Sequence, residues 1–84
     1  MSYTYILHST SLSKYYIGST DSSVEERFAK HLTNHGGFTS KAKDWLIVYV
    51  NQHEDPKEAK AEEFGIKKAK SKKFIERLIV DFQI

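Results

Sequence analysis

Residues 3–31 constrain the fold more than any other part of the chain, because two short β-favouring stretches lead there into an amphipathic helix. Tyrosine and branched apolar residues dominate residues 2–8 and 15–18, as is typical of strands, and a mostly polar turn separates them. The close spacing predicts an antiparallel hairpin whose second strand ends at Gly18.

A helix is predicted directly after this hairpin. Ser22 and Ser23 each have a glutamate three residues further on, which is the reciprocal capping pattern of a helix start. Apolar residues then recur at four-residue steps on one face: Val24, Phe28 and Leu32. Residues 33–42, which include a glycine pair, are predicted to form a loop.

The second half of the chain predicts one more strand and two helices. Residues 45–50 are continuously apolar, which fits a strand covered on both faces. Asp55 as N-cap and Pro56 at the first helical position begin a helix that runs to about Lys68. The last helix carries an apolar stripe that must pack on the sheet or on another helix: Phe74, Ile75, Leu78, Ile79 and Phe82.

These elements, in the order β-β-α-β-α-α, predict an α+β fold with a three-stranded, largely antiparallel sheet flanked by helices. The 84 residues suffice for a single domain, 1–84. The absence of cysteine excludes disulfide and thiolate chemistry and favours a reducing, cytoplasmic setting. We see no signal-peptide pattern, and the longest apolar run, residues 45–50, is too short to cross a bilayer, so no membrane association is expected.

The charge distribution says more than the net charge. A total of +2 is too small by itself to indicate nucleic-acid binding. However, one short segment concentrates five lysines without an acid: Lys67, Lys68, Lys70, Lys72 and Lys73. Lys41 and Lys43 form a second basic spot. Lysine runs are usually solvated faces, so these clusters indicate a polyanion partner only in combination with other features.

Two helices carry polar residues at positions that call for an explanation. Arg27 and His31 lie one turn apart on the first helix, along a border of its apolar face, where a side chain is half buried and half wet. On the next helix we expect Phe64 and Ile66 to face inward, with Glu63 inside the same arc. An inward carboxylate is costly unless it is paired or bound to a metal.

Each of these features alone has an ordinary structural explanation. Tyrosines in strands are most often packing residues, and a helical arginine usually forms a surface ion pair. A single histidine is more often a surface residue than a catalyst, and Glu63 could pair with a lysine. A glycine at a strand end is often there for its backbone freedom. What favours a functional site is the combination of these residues in one order and spacing.

That order and spacing resembles the GIY-YIG (URI) endonuclease superfamily, and most of all its small stand-alone members. The resemblance covers nearly the whole chain. Its segments are Tyr3-Thr4-Tyr5, Tyr16-Ile17-Gly18, Ser19-Thr20, Glu26-Arg27-Phe28-Ala29-Lys30-His31, Thr39-Ser40-Lys41, Trp45-Leu46-Ile47-Val48-Tyr49, and Glu58-Ala59 with Glu63. Two features depart from it: Tyr3 stands where the family name has glycine, and a further polar residue that some members carry near the end of the module has no clear counterpart.

The resemblance implies metal-assisted hydrolysis of a nucleic-acid phosphodiester, DNA in particular, with a single Mg²⁺ or Mn²⁺ ion. Glu63 would hold the cation, since such hard ions prefer oxygen ligands. Arg27 would clamp the phosphate through its fixed fork of donors. Tyr5 or Tyr16 would accept a proton from the attacking water, and His31 would relay a proton or bind the phosphate.

The same resemblance places nucleic-acid contacts at Gly18, Lys41, Lys67 and Lys68, with little sequence specificity, because no base-reading helix is evident. Three functions therefore remain open. The chain is a nuclease, a catalytically degenerate nucleic-acid-binding module of the same fold, or a small interaction domain that docks through its last amphipathic helix. A protein partner or a homodimer is compatible with each of them.

Overall fold

The computed structural model describes residues 1–33 and 44–83, with side chains described for 1–29 and 44–82. Three strands and three helices follow in the order β-β-α-β-α-α, which confirms the predicted α+β architecture. In chain order they are β1 (Ser2–Ser9), β2 (Lys14–Thr20), α1 (Val24–Thr33), β3 (Trp45–His53), α2 (Pro56–Ala69) and α3 (Lys72–Gln83). The predicted loop at residues 33–42 lies almost entirely outside the described residues.

The three strands form one antiparallel sheet in the order β2-β1-β3, with β1 in the centre. In the register of this sheet, Tyr5 on β1 lies opposite Gly18 on β2 and Val50 on β3. Pairing with β1 continues past the apolar core of each neighbour, so β2 extends to Thr20 and β3 to His53. Both strands are therefore longer than their apolar segments predicted.

Alternation along β1 divides the core into two layers, because successive side chains of a strand point to opposite faces. One layer contains Tyr5 and Leu7 with Trp45 and Val24 of α1. On the other face Ile6 packs with buried residues of β2, β3, α2 and α3: Ile17, Tyr49, Ile66 and Ile75. The sheet is thus covered by α1 on one side and by α2 and α3 on the other.

Side-chain caps set both predicted helix starts. Ser23 Oγ accepts a hydrogen bond from the Glu26 amide at 3.2 Å, so the second of the two serine candidates is the one used. Asp55 Oδ1 accepts from the Lys57 amide at 2.8 Å, which starts α2 at Pro56 as predicted. That helix ends at Ala69 and is capped by Lys70, whose φ of 49° is left-handed.

Two expectations about burial are wrong. Phe64 is 68% exposed rather than inward, because the buried arc of α2 is defined by Ala59 and Ile66 and a residue two positions before Ile66 points away from it. Leu46 is 62% exposed, because β3 is an edge strand that the helices cover only in part, and its apolar run is not buried on both faces.

Asp44 fastens the β1–β2 turn to the start of β3. Its carboxylate accepts hydrogen bonds from Ser9 Oγ at 2.6 Å, the Ser11 amide at 2.7 Å and Ser11 Oγ at 3.0 Å. These hydrogen bonds, led by the one from Ser9, lower the pKa of Asp44 from 3.8 to about 2.

We expect Asp44→Asn to lower the thermal midpoint near neutral pH, because the charged acceptor that holds both serines is lost. A carboxyl with a depressed folded-state pKa stabilises the fold above its unfolded pKa and ceases to do so as the pH falls through its folded pKa. The difference between wild type and variant should therefore shrink as the pH is lowered from 4 towards 2. Thermal unfolding followed by circular dichroism at several pH values measures this, and a difference that does not change with pH would contradict the assignment.

Candidate active site

Gly18 is required by the close approach of two tyrosine rings. A Cβ atom built at Gly18 would lie 2.5 Å from the Tyr5 hydroxyl oxygen, 2.6 Å from Tyr5 Cζ and 3.2 Å from Tyr16 Cε1. Tyr5 is only 1% exposed, so its ring has little freedom to give way. The strand pairing of Tyr5 with Gly18 thus leaves the Tyr5 hydroxyl against the backbone of β2, with the half-buried Tyr16 beside it.

Arg27 lies on α1, the helix that covers the same face of the sheet as Tyr5. Its guanidinium lies near the Tyr5 phenol, and hydrogen bonding from Arg27 acts to lower the pKa of that phenol. Burial raises the pKa of Tyr5 and outweighs the opposing effect of this hydrogen bond, while the charge of Glu63 also raises it. Tyr5 is therefore a neutral phenol near pH 7, and its electrostatic environment includes residues from both α1 and α2.

Glu63 of α2 contributes a carboxylate from the other helix layer. Ser19 Oγ, one residue beyond Gly18, donates to Glu63 Oε1 at 2.7 Å, and Lys67 Nζ donates to Oε2 at 2.6 Å. The side chain of Glu63 is 22% exposed. Burial alone would raise the pKa of Glu63, but the hydrogen bonds from Lys67 and Ser19 lower it below its usual value. Glu63 is thus a partly buried, ionised carboxylate.

The structure therefore brings five of the predicted site residues into one neighbourhood: Tyr5, Tyr16, Gly18, Arg27 and Glu63. Lys67 also belongs to it through its ion pair with Glu63, and Lys68 is exposed on the same helix. His31 lies in the last part of α1, but its side chain is outside the described residues. Lys41 is outside them altogether.

Glu62 is the residue whose role the sequence reasoning missed. Its carboxylate accepts hydrogen bonds from three side chains of β3. The donors are the Tyr49 hydroxyl at 2.7 Å, Asn51 Nδ2 at 3.0 Å and His53 Nε2 at 2.8 Å. A signal was available, because three polar-tipped residues alternate along β3, but only tertiary contact pairs them with α2. Glu62 thereby fixes the position of α2, and so that of its neighbour Glu63, against the sheet.

Burial would raise the pKa of Glu62, but the hydrogen bonds from His53, Tyr49 and Asn51 hold it below the ordinary value.

We expect Glu62→Ala to destabilise the protein by about 2 kcal/mol, because removing a shared acceptor leaves partly buried donors unsatisfied. Urea unfolding measures the effect. Glu58→Ala, at an exposed position in the first turn of α2, is the matched control and should cost less than about 1 kcal/mol. Equal losses in the two variants would show that the Glu62 contacts contribute little.

The donor chemistry at Glu63 suits a hard divalent cation. Its ionised carboxylate and the adjacent Ser19 hydroxyl are oxygen ligands of the type that Mg²⁺ and Mn²⁺ prefer. Lys67 occupies Oε2 of this carboxylate at 2.6 Å, so a cation bound through that oxygen would take the place of its ammonium group. In the part of the chain that the structure describes, no three histidine, aspartate or glutamate residues form a metal-ligating group. A cation at Glu63 would therefore have this one carboxylate as its protein anion and take its other ligands from water and substrate.

The fold is that of a nuclease-type module. The family model described as the GIY-YIG catalytic domain matches residues 1–75 of the 84. The chain therefore belongs to the GIY-YIG family, whose members are generally endonucleases that use divalent metal ions on nucleic-acid substrates. Comparison with curated proteins and with solved structures gives no match. Within the described ranges, no helix has the length and apolar character needed to cross a membrane.

Proposed function

We propose that this protein is an active, metal-dependent endonuclease that hydrolyses phosphodiester bonds, of DNA in particular, with little sequence specificity. The observation that carries the proposal is a buried phenol against Gly18, that of Tyr5, whose pKa is affected both by the Arg27 guanidinium and by the ionised carboxylate of Glu63. These groups come from the central strand and from helices on both faces of the sheet. Packing alone does not require a guanidinium and a carboxylate that both act on the same buried phenol.

Arg27 and Glu63 have complementary roles in the proposed reaction. A phosphodiester is anionic, so its hydrolysis requires positive charge where negative charge develops. Arg27 supplies part of that charge, and its bond to the Tyr5 phenol orients the guanidinium. Glu63 and the neighbouring Ser19 would hold Mg²⁺ or Mn²⁺. A divalent cation held there supplies further positive charge and makes water more acidic.

The sequence left the two tyrosines as alternatives, and we assign them different roles because they differ in burial. Tyr5 is buried and its pKa is raised, so we assign it the role of a neutral hydrogen-bonding group that positions Arg27. Tyr16 is half buried and more accessible, so we assign it the transfer of a proton from the attacking water. His31 remains our candidate for relaying that proton or binding the phosphate.

The lysines supply sequence-independent contacts to the phosphate backbone in this proposal. Lys67 and Lys68 are exposed on α2 beside Glu63, and Lys41 is proposed to act with them. Such contacts position a nucleic acid but do not read its bases. The affinity of the protein is therefore expected to fall steeply with salt.

The test is cleavage of labelled oligonucleotides by the wild-type protein in Mg²⁺, in Mn²⁺ and in EDTA. Single-stranded DNA, duplex DNA and RNA of the same sequence are compared. Cutting in either metal but not in EDTA supports the proposal. Salt-sensitive binding without cutting would favour the second candidate, a degenerate binding module, which the departures of the chain from the family pattern also allow. If the protein neither binds nor cuts these oligonucleotides, the small interaction domain remains as the function.

The two tyrosines are tested by comparing Tyr5→Phe with Tyr16→Phe. Tyr16→Phe should lower the cleavage rate by about 10²-fold or more, since general base catalysis typically contributes about 10²- to 10⁴-fold. Tyr5→Phe should lower the rate less, because only the positioning of Arg27 is impaired. A larger loss of cleavage rate in Tyr5→Phe than in Tyr16→Phe would show that the two roles must be exchanged.

A further inference from the structure

Phe64 points outward from α2, at a position where the sequence predicted a buried residue. The phenyl ring is 68% exposed, although it lies one residue from Glu63. A single exposed apolar residue is common on protein surfaces and needs no explanation. The surroundings of Phe64 are what distinguish it.

Four exposed lysines share the outer face of α2 with this ring. At 3.6 residues per turn, Lys57, Lys60, Lys67 and Lys68 fall with Phe64 into an arc of roughly 100°. Lys60 and Lys68 lie one turn before and one turn after Phe64, so these two positions flank Phe64 along the helix. We call this surface, formed by Phe64 and the four lysines, the outer face of α2.

The outer face borders directly on the candidate site. Lys67 Nζ donates to Glu63 Oε2 at 2.6 Å, and Lys60 is close enough for its charge to contribute to the lowered pKa of Glu63. A ligand lying along this face would therefore reach the carboxylate without leaving the helix. Other exposed apolar residues, such as Leu46 on β3, belong to elements that do not carry Glu63.

We propose that Phe64 is a stacking platform for an unpaired base of the nucleic-acid strand that the protein cuts. Cationic side chains that track the backbone, together with an aromatic ring on which a base stacks, are the two features by which proteins bind single strands without sequence preference. The four lysines supply the positive charge and Phe64 supplies the ring. The proposal rests on the proposed function, because it places this strand beside Glu63.

A stacking role for Phe64 restricts the substrates to nucleic acids that have unpaired bases. In a continuous duplex both faces of each base are covered by its neighbours, so an aromatic ring on a helix surface has no base to stack on. Single strands, loops, flaps and frayed ends expose such faces. The preferred substrate is thus a nucleic acid with unpaired bases next to the scissile phosphate, rather than uninterrupted double helix.

The first experiment measures binding in EDTA, so that it does not depend on cleavage. Fluorescence anisotropy gives the affinity for labelled oligothymidylate and for a duplex of the same length, for wild type and Phe64→Ala, at several salt concentrations. Leu46→Ala, which removes a comparably exposed apolar side chain from β3, is the matched control. Circular dichroism confirms that each variant folds.

We expect Phe64→Ala to weaken single-strand binding by about tenfold, within the roughly 5- to 150-fold range of one lost stacking contact. Duplex binding and the salt dependence should stay unchanged, because the phenyl ring releases no counterions. Leu46→Ala should bind like wild type. Equal loss in the Phe64 and Leu46 variants, or no loss in either, would overturn the platform.

A second variant tests stacking directly. Phe64→Trp should keep wild-type affinity and show fluorescence quenching on addition of oligothymidylate, while Trp45, which is 2% exposed, gives a constant background. Absence of quenching in a variant that still binds would contradict stacking.

Cleavage is then measured separately. Phe64-dependent binding without metal-dependent cutting would disprove the hydrolytic function but not the platform. Metal-dependent cutting that Phe64→Ala does not change would support the hydrolytic function and disprove the platform.

Discussion

Glu63→Gln is expected to reduce metal-dependent cleavage by at least about 10³-fold, since a catalytic cation contributes several kcal/mol of transition-state stabilisation. The substitution removes the negative charge but retains an oxygen that can accept the hydrogen bond from Ser19. The fold should therefore survive. The cleavage rate in Mn²⁺ is the primary measurement, and the increase in thermal midpoint on adding Mn²⁺ is a second one that does not require turnover.

Glu58→Gln is the matched control for this variant, because Glu58 is an exposed residue on the same helix. It should cut at the wild-type rate and retain the stabilisation by Mn²⁺. Glu63→Gln should lose both. If Glu63→Gln kept its response to Mn²⁺, the cation would have to bind elsewhere, and the assignment of Glu63 as the metal ligand would be wrong.

Gly18→Ala is expected to damage both stability and activity. The new methyl group would lie 2.5 Å from the Tyr5 hydroxyl and 2.6 Å from Tyr5 Cζ, which is too close for non-bonded atoms. Because Tyr5 is buried in the central strand, relief requires a shift of the sheet or of the ring. Overpacking of this kind typically costs about 1–3 kcal/mol. In a domain of this size the thermal midpoint should fall by roughly 5–20 °C.

The activity of Gly18→Ala should fall further than its stability alone requires. Displacement of the Tyr5 hydroxyl moves the hydrogen-bond partner of Arg27, and a misplacement of about 1 Å can cost roughly 10²-fold in rate. Cleavage is therefore measured well below the thermal midpoint of the variant. Wild-type activity together with wild-type stability would show that the space above Gly18 is not needed.

Gly65→Ala is the control for Gly18→Ala, because it adds the same methyl group at a position where there is space for it. A Cβ atom at Gly65 would meet nothing within 4 Å, and the residue lies inside α2. Alanine there should stabilise the protein by about 0.5–1 kcal/mol, because glycine loses more backbone entropy in a helix. The pair separates the effect of a methyl group as such from the effect of where it is placed.

The sequence predicted the local elements because their determinants are local. Ser23 and Asp55 cap the helices that their neighbours suggested, and the β-favouring residues of β1 form a strand with apolar side chains in both core layers. The position of Phe64 could not be predicted in this way. Its helix has few buried residues, so the apolar pattern does not define one inward direction.

The family, the order of the elements and the residue types of the site were determined by the sequence itself, because motif spacing and capping depend on residues close together in the chain. The tertiary structure alone decided which of them meet. It paired Glu62 with β3 and Glu63 with Ser19, residues 44 positions apart in the chain. It also buried Tyr5 rather than Tyr16 and turned Phe64 outward, because burial and pKa depend on the packing of helices against the sheet and not on the order of residues.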